Sequence, residues 1–364
     1  MAQGFDLAVI GGGPGGAAAA WNAARRGLRV ALVERGGFPR DRVCGEFISA
    51  EARPVLEAMA PELLEDAPEI ASAELIASHG RRARIALPRP GMGIPRWRLD
   101  QALWEAAGRA GVTHLAHTTV TGARREHGGW QIEASRGGGL RAEALIVGAG
   151  RWWHVRGLNA PPRPRSPWIG IKARFRGPGA AGVELYAFRG GYCGVAPVSG
   201  GEVNVCALIH RRAARALGGA RNLAPWLSWT AGSASLARRL AGLRQASPTL
   251  TTAPVPLGRG SGGRHDLLPV GDASGFLDPF TGDGLARALL GGWAAAAAVD
   301  EGNPGRYRSE SARAARLPFA LSAALRGLLQ APPWAQDAAL WAMARPALGG
   351  HIVRATRCRL RVRL

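Results

Sequence analysis

Two glycine-rich stretches carry the residues with the clearest chemistry. In the first, Gly11, Gly13 and Gly16 stand in the spacing G-x-G-x-x-G, and Glu34 follows. Gly11 permits a tight turn, Gly13 lets a pyrophosphate approach the backbone, and Gly16 lets a helix lie close to a strand. A helix opening at that turn offers free N–H groups and the positive end of its dipole to phosphate. Glu34, about 20 residues on, can accept hydrogen bonds from a ribose hydroxyl. In the second stretch, VGDASGFLDPFTGDGLARAL from Val270, Asp272 stands at the end of a short apolar run. There its carboxylate can bond the ribityl chain of a flavin. Gly282 and Gly284 let backbone N–H groups approach a ring, and a helix starting near Gly284 would stabilise negative charge there.

These residues need particular elements to hold them. Leu7 to Ile10 reads as a short buried strand. An Ala-rich helix follows, with Arg25 and Arg26 in its last turn and Gly27 as its stop, and Leu28 to Val33 is a second buried strand. A loop runs to about Ser49, and a helix from there to about Met59. Residues 72–87 read as two strands about a turn at His79-Gly80 in a second sheet. Ile94 to Asp100 leads into a helix ended by Gly111. Val112–Leu115, Thr118–Arg125, Trp130–Ala134 and Leu140–Arg141 suggest a small meander, and Ala144–Val147 a return to the first sheet. Ile169–Arg176, Val183–Phe188, Gly191–Val198 and Val203–Ile209 form an antiparallel set, the last two joined by a hairpin at Ser199 to Glu202. Residues 211–245 are helical in composition, and Leu250–Leu257 returns as a strand. A long helix ends near Val299, and two more occupy 306–350, split at Ala331-Pro332-Pro333.

At 364 residues the chain exceeds the size at which one core stops growing. The expected division is a discontinuous dinucleotide domain (1–70, 92–165 and 258–305), a substrate domain (71–91 and 166–257), and C-terminal helices with a basic tail (306–364). The first strand begins too early for a secretory leader. Cys44, Cys193, Cys206 and Cys358 lack the spacing of a zinc site or disulfide framework, so no metal is expected and a reducing cytoplasm is the simplest setting. The net charge is +21, and Lys172 is the one lysine. Such a field attracts anionic substrates or an anionic membrane surface. The basic residues are dispersed and no nucleic-acid motif is present, which argues against nucleic acid. In the tail, Cys358, Leu360, Val362 and Leu364 alternate with Arg357, Arg359, Arg361 and Arg363, a pattern suited to disorder or to an anionic bilayer.

Taken together, Gly11-x-Gly13-x-x-Gly16 with Glu34-Arg35, Arg42-Val43-Cys44-Gly45-Glu46, Arg96 ahead of Leu99-Asp100, and Gly271-Asp272 with Pro279 to Gly284 give a specific pattern over nearly the whole chain. It resembles the p-hydroxybenzoate hydroxylase–geranylgeranyl reductase superfamily of FAD enzymes. Gly275, where aromatic hydroxylases usually carry His, and the loops at Cys44 and Pro279 look more like the geranylgeranyl reductase-like branch. The resemblance implies an α/β fold: a Rossmann-like FAD domain interrupted by an antiparallel substrate sheet of α+β character, with C-terminal helices. It implies FAD contacts at Gly11, Gly13, Pro14, Gly15, Gly16, Glu34, Arg35, Arg42, Val43, Cys44, Gly45, Arg96, Gly150, Gly271, Asp272, Pro279, Gly282, Asp283 and Gly284. Val147-Gly148-Ala149-Gly150-Arg151 occupies the position where many relatives have an Asp-Gly pair. The lysine pair that flavin halogenases rely on is impossible with one lysine.

The resemblance places Cys44 near the flavin ring, where it could shape the ring face or deliver a proton. Glu46 could protonate a carbon after hydride transfer if burial raises its pKa. Tyr192 is the third catalytic candidate, on a strand over the substrate, and Trp152-Trp153 could cover the cofactor. The expected activity is hydride transfer from FAD, reduced by NAD(P)H, to a carbon–carbon double bond of a hydrophobic isoprenoid- or polyketide-like molecule. Two further readings stay open at this point. One is a monooxygenase acting on an aromatic or polyketide-type metabolite, and the other is a non-catalytic FAD-bound interaction protein.

Overall fold

The computed structural model describes residues 4–136, 138–158, 166–214, 222–259, 266–360 and 362. Its first sheet grows from the expected strand. Gly4–Ile10 lies parallel between Val30–Val33 and Leu140–Val147, with Leu7 opposite both Val30 and Ala144. Thr113–Leu115 extends the parallel set beyond Val30–Val33. The two segments read from sequence as Leu140–Arg141 and Ala144–Val147 are one strand. Its first half pairs antiparallel with Gly129–Ala134, and its second half pairs parallel with Leu268–Pro269. The meander is therefore continuous with the nucleotide sheet rather than separate from it.

The helix Pro14–Arg25 packs its alanines between this sheet and the helix Gly284–Asp300. The crossing is closer than side chains allow. A Cβ on Gly292 would stand 2.0 Å from the Gly15 carbonyl oxygen, and one on Gly16 would stand 1.8 Å from that of Gly11. Asn22 Nδ2 donates to the Trp293 carbonyl at 2.8 Å and fixes the register of the two helices.

Among the described residues the second sheet has nine strands. Trp168–Arg176, Glu202–His210, Gly191–Val198 and Val183–Phe188 run antiparallel in that spatial order, and Val183–Phe188 pairs parallel with Glu69–Ile76. Arg82–Gly93 and Phe47–Ile48 complete that edge. Gly200 and Gly201 both have positive φ, as the tight hairpin requires. Of the expected strand at Leu250–Leu257, only Leu250–Thr252 is paired.

Three C-terminal helices follow where two were expected: Pro304–Leu329, Pro333–Met343 and Pro346–Thr356. Pro346 starts a new helix because proline at the first helical position gives up only an N–H that is already unpaired. The tail also departs from expectation. Cys358 and Leu360 are buried among Leu56, Leu103 and Leu285, and Val362 packs against the same cluster. Cys358, Leu360 and Val362 are thus committed to the core. Arg361, Arg363 and Leu364 lie outside the described residues. Among the described residues, no helix is long and apolar enough to cross a membrane.

Candidate functional site

A cavity of about 530 Å³ opens between the two sheets. The ends of the first-sheet strands set its floor. The Gly11–Gly13 turn leaves the Gly4–Ile10 strand, Gly148–Gly150 leaves Leu140–Val147, and Gly271-Asp272 follows Leu268–Pro269. Strand ends of this kind are where α/β sheets hold ligands. Two helix N-termini reach the cavity, through Gly13-Pro14 and through Gly284-Leu285, and neither carries a side-chain cap. Their free N–H groups present positive partial charge to whatever the cavity holds.

The residues present fit FAD on several independent observations. Added Cβ atoms at Gly13, Gly45, Gly150 and Gly284 would meet no atom within 4 Å, although each glycine lines the cavity. These four positions therefore shape empty space, whereas Gly11 and Gly16 are glycine because backbone crowds them. Asp272 lines the cavity and its carboxylate makes no hydrogen bond among the described residues. Burial raises its pKa, against the pull of Arg151, Arg96 and Arg287. An acceptor held that way suits the hydroxyls of a ribityl chain. Among the described residues, Arg42, which also lines the cavity, has no ion-pair partner for its guanidinium. Burial lowers its pKa, and the neighbouring cations Arg40 and Arg96 lower it further. Three guanidiniums gathered at one wall suit a pyrophosphate. Arg35 and Val43 line the same cavity.

Glu34 is in place but engaged. Its Oε2 accepts from the Gly12 amide at 2.8 Å and its Oε1 from the Gly36 amide at 2.9 Å, while Arg40 donates to both oxygens. Burial works to raise its pKa, but Arg40 and the two amides outweigh it and hold the carboxyl below its ordinary value. With four bonds its acceptor sites are filled, so a ribose hydroxyl there would take the place of an Arg40 N–H. Arg40 is a residue that the sequence reading missed; its only signal was a position six residues after Glu34.

The loop at Cys44 is built around a buried carboxylate. Glu46 has φ of 58°, is fully buried, and accepts at Oε1 from Lys172 Nζ and from the Arg96 amide at 2.8 Å. Its Oε2 is buried without a partner. Burial raises the Glu46 pKa although Lys172 pulls the other way. Lys172 also donates to Asp41 Oδ1 at 2.7 Å and to the Arg42 carbonyl at 3.3 Å, and Arg174 pairs with Asp41. The single lysine thus ties the loop to the second sheet and does not itself line the cavity. Arg96 holds Asp100 through two bonds of 2.7 and 2.8 Å and lies against the Cys44 thiol, and its pKa stays raised despite burial. Cys44 faces the cavity, and its sulfur accepts from the Glu46 amide at 3.4 Å.

Tyr192 lines the apolar side and donates to Asp278 Oδ1 at 2.9 Å, while Arg326 holds Asp278 Oδ2 at 2.7 Å. Burial first, and then the Asp278 charge, push the Tyr192 pKa well above its ordinary value. Its proton is committed, which makes it a wall residue of fixed orientation. Pro279, Gly282 and Trp152-Trp153 line the cavity. Asp283 does not. It turns into the core, accepts from Ser49 Oγ at 3.0 Å and stands 4.0 Å from Arg357. Arg357 is the second residue missed by the sequence reading. The packed tail carries it to the cavity, where it donates to the Thr281 carbonyl at 2.8 Å.

Comparison with known proteins agrees with this geometry. Residues 6–147 match the family model described as FAD dependent oxidoreductase. A menaquinone reductase of Mycolicibacterium smegmatis is 29% identical over 340 residues, covering 84% of this chain and 78% of that protein. A geranylgeranyl bacteriochlorophyll reductase-like protein from Thermoplasma acidophilum superposes with a TM-score of 0.73 at 20% identity, covering 97% of this chain and 96% of that one. A flavin-dependent brominase superposes at 0.77 with 18% identity, covering 97% and 93%. At that identity the two superpositions speak for the fold alone, and the fold is the one expected.

Proposed function

The chain is an FAD-dependent oxidoreductase, and from that premise we propose that it reduces a carbon–carbon double bond of an apolar, isoprenoid-type or quinone-type molecule. The observation that carries this reading is a single cavity lined both by the Cys44–Glu46 loop and by an apolar wall of Leu185, Tyr192, Ala196, Leu208 and Phe276. The name of the mycobacterial relative supports a prenylated quinone as the substrate class. When bound, FAD supplies the hydride, with a nicotinamide dinucleotide as the proposed reductant. The protein's own residues supply the rest. Asp272, Arg42 and the two uncapped helix ends bind and orient the cofactor. The apolar wall excludes water and receives the substrate. The matching proton comes from the Cys44–Glu46 loop: Lys172 and the Arg96 amide occupy Glu46 Oε1, so a proton held by the buried carboxyl sits at Oε2. Hydride on one carbon and this proton on its neighbour complete the reduction.

The same reading places the enzyme in the cytoplasm, in peripheral contact with an anionic membrane. Its support is the charge of +21 together with an apolar substrate class. The test is anaerobic turnover of reduced enzyme with prenylated quinones. The expected product is heavier by two hydrogens, and whatever forms under ¹⁸O₂ carries no label. Label in the product, with none formed anaerobically, would establish oxygen transfer and sink the reductase reading.

A further inference from the structure

The outward side of the C-terminal helices differs from an ordinary protein surface. From residue 311 to 336 the chain contains Arg313, Arg316 and Arg326 and no acidic residue. Along Pro304–Leu329, Leu317, Ala320, Ala324 and Leu328 recur every three or four residues and are all exposed. Along Pro333–Met343, Trp334 and Trp341 share one face and are 75% and 57% exposed. Leu348 is exposed on the last helix. Of the eight large apolar side chains that stand exposed among the described residues, five lie on these three helices. A surface helix normally turns its charged face outward. These helices are apolar inward, through Ala315, Phe319, Leu340 and Met343, and apolar outward as well.

The exposed residues belong to one layer. Leu325, Leu340, Met343, Ile352 and Val353, drawn from all three helices, pack into one cluster with Leu75 and Ile85 of the second sheet. The exposed side chains are therefore carried by helices that pack as one layer. Charge on that face is mainly basic. The Arg345 guanidinium lies 3.7 Å from the centre of the Trp341 ring. Asp337, between Trp334 and Trp341 on the same helix, is paired with His79 and Arg81, and Glu310 is paired with Arg306. The face also adjoins the cavity. Leu329, next to the exposed Leu328, packs with Tyr192, Leu208 and Phe280 of the apolar wall.

We propose that this face, carried by Trp334, Trp341, Leu317 and Leu328, docks the enzyme on a bilayer containing anionic phospholipid. The proposal rests on the membrane contact named above and assigns it a surface. Tryptophan seats in the headgroup region with its ring in the acyl boundary, arginine pairs with phosphate, and the one acid between the tryptophans, Asp337, is held by His79 and Arg81. A second copy of the chain is a poor occupant, because it would bring two arginine-bearing faces together.

The test is co-sedimentation of FAD-loaded full-length protein with phosphatidylcholine vesicles, with and without phosphatidylglycerol. Wild-type protein should bind only the anionic vesicles, less so at high salt. Trp334→Ala/Trp341→Ala should weaken binding roughly tenfold or more, with flavin absorbance and thermal unfolding unchanged. Trp229→Ala, which removes another exposed tryptophan from the Leu223–Ala231 helix, should bind as wild type. If wild type binds anionic vesicles and the double variant binds equally well, the face is wrong and the membrane contact survives. If wild type ignores every vesicle, both fall and the flavin chemistry stands. A dimer that the double variant converts to monomer would assign the face to a second copy and overturn the proposal.

Discussion

At the scale of single residues, the glycines divide by what surrounds them, and the division makes a prediction. Gly13 has φ of −72° and ψ of 178°, backbone that any residue adopts, and a Cβ there meets only the cavity. Gly13→Val should therefore fold with a melting temperature close to that of wild-type apoprotein, yet be purified colourless and bind added FAD at least about a hundredfold more weakly, since a side chain stands where the pyrophosphate must approach. Titration with FAD followed by flavin fluorescence reads the affinity, and wild-type affinity would show that the pyrophosphate lies elsewhere. Asp283 gives a pH-dependent expectation. Burial raises its pKa to about 7 against the opposing Arg357 and Ser49. The folded protein then binds the proton more tightly than the unfolded chain does. The stability this contributes is complete below about pH 4 and is lost as pH rises towards 7. Relative to Asp283→Asn, wild type should lose up to about 4 kcal/mol between those limits. Chemical denaturation of both proteins across the range checks the sign.

At the scale of elements, the pairing of the Pro14–Arg25 and Gly284–Asp300 helices links packing to the cofactor. Gly292→Ala places a methyl 2.0 Å from the Gly15 carbonyl oxygen, inside the turn that carries Gly13. The helices must separate, at a cost of about 1–3 kcal/mol. The variant should melt several degrees lower and also bind FAD more weakly, although Gly292 itself lines no part of the cavity. Isothermal titration together with calorimetry would separate the two effects, and a lower melting temperature with unchanged FAD affinity would refute the coupling. This pairing was half legible in the sequence. Gly11, Gly13, Gly16 and the Ala-rich helix are local signals that follow one another within a few turns, and the strand, turn and helix formed where they were expected. Lys172 with Glu46 is a contact across 126 residues, and nothing in either neighbourhood announces it. Leu140–Val147 was split because its two halves have different partners, and a strand's partner is not written in its own residues. The third C-terminal helix went unseen because the reading broke 306–350 only at Ala331-Pro332-Pro333 and ran its second helix on through Pro346, which starts a helix of its own.

At the scale of the whole molecule, Arg357, Cys358 and Leu360 fold back onto the rest of the chain, and the function expected of them changes accordingly. An alternating arginine-rich tail with no tertiary context suggests an anchor, but here the core takes Cys358, Leu360 and Val362 and the cavity takes Arg357. Cys358 and Leu360 are buried among residues of the Arg53–Met59 and Arg96–Arg109 helices and of Gly284–Asp300, so the tail joins three separate parts of the nucleotide-binding half. Full burial of a large apolar side chain contributes about 1.5–3 kcal/mol, and Cys358 adds a smaller amount. Deleting residues 357–364 should therefore destabilise the protein by about 3 kcal/mol or more and leave Asp283 buried without its cation. Arg357→Ala removes only the second effect. If the tail is mainly a structural clasp, the truncated protein should melt well below Arg357→Ala. If the tail serves the site chiefly through Arg357, the two should lose FAD affinity to the same degree with similar melting temperatures. The burial of Cys358 and Leu360 argues for the first outcome. Vesicle binding supplies an independent check: because Cys358, Leu360 and Val362 are spent on the core, the truncated holoenzyme should bind anionic vesicles in proportion to the charge it loses, and a complete loss of binding would return the membrane contact to the tail.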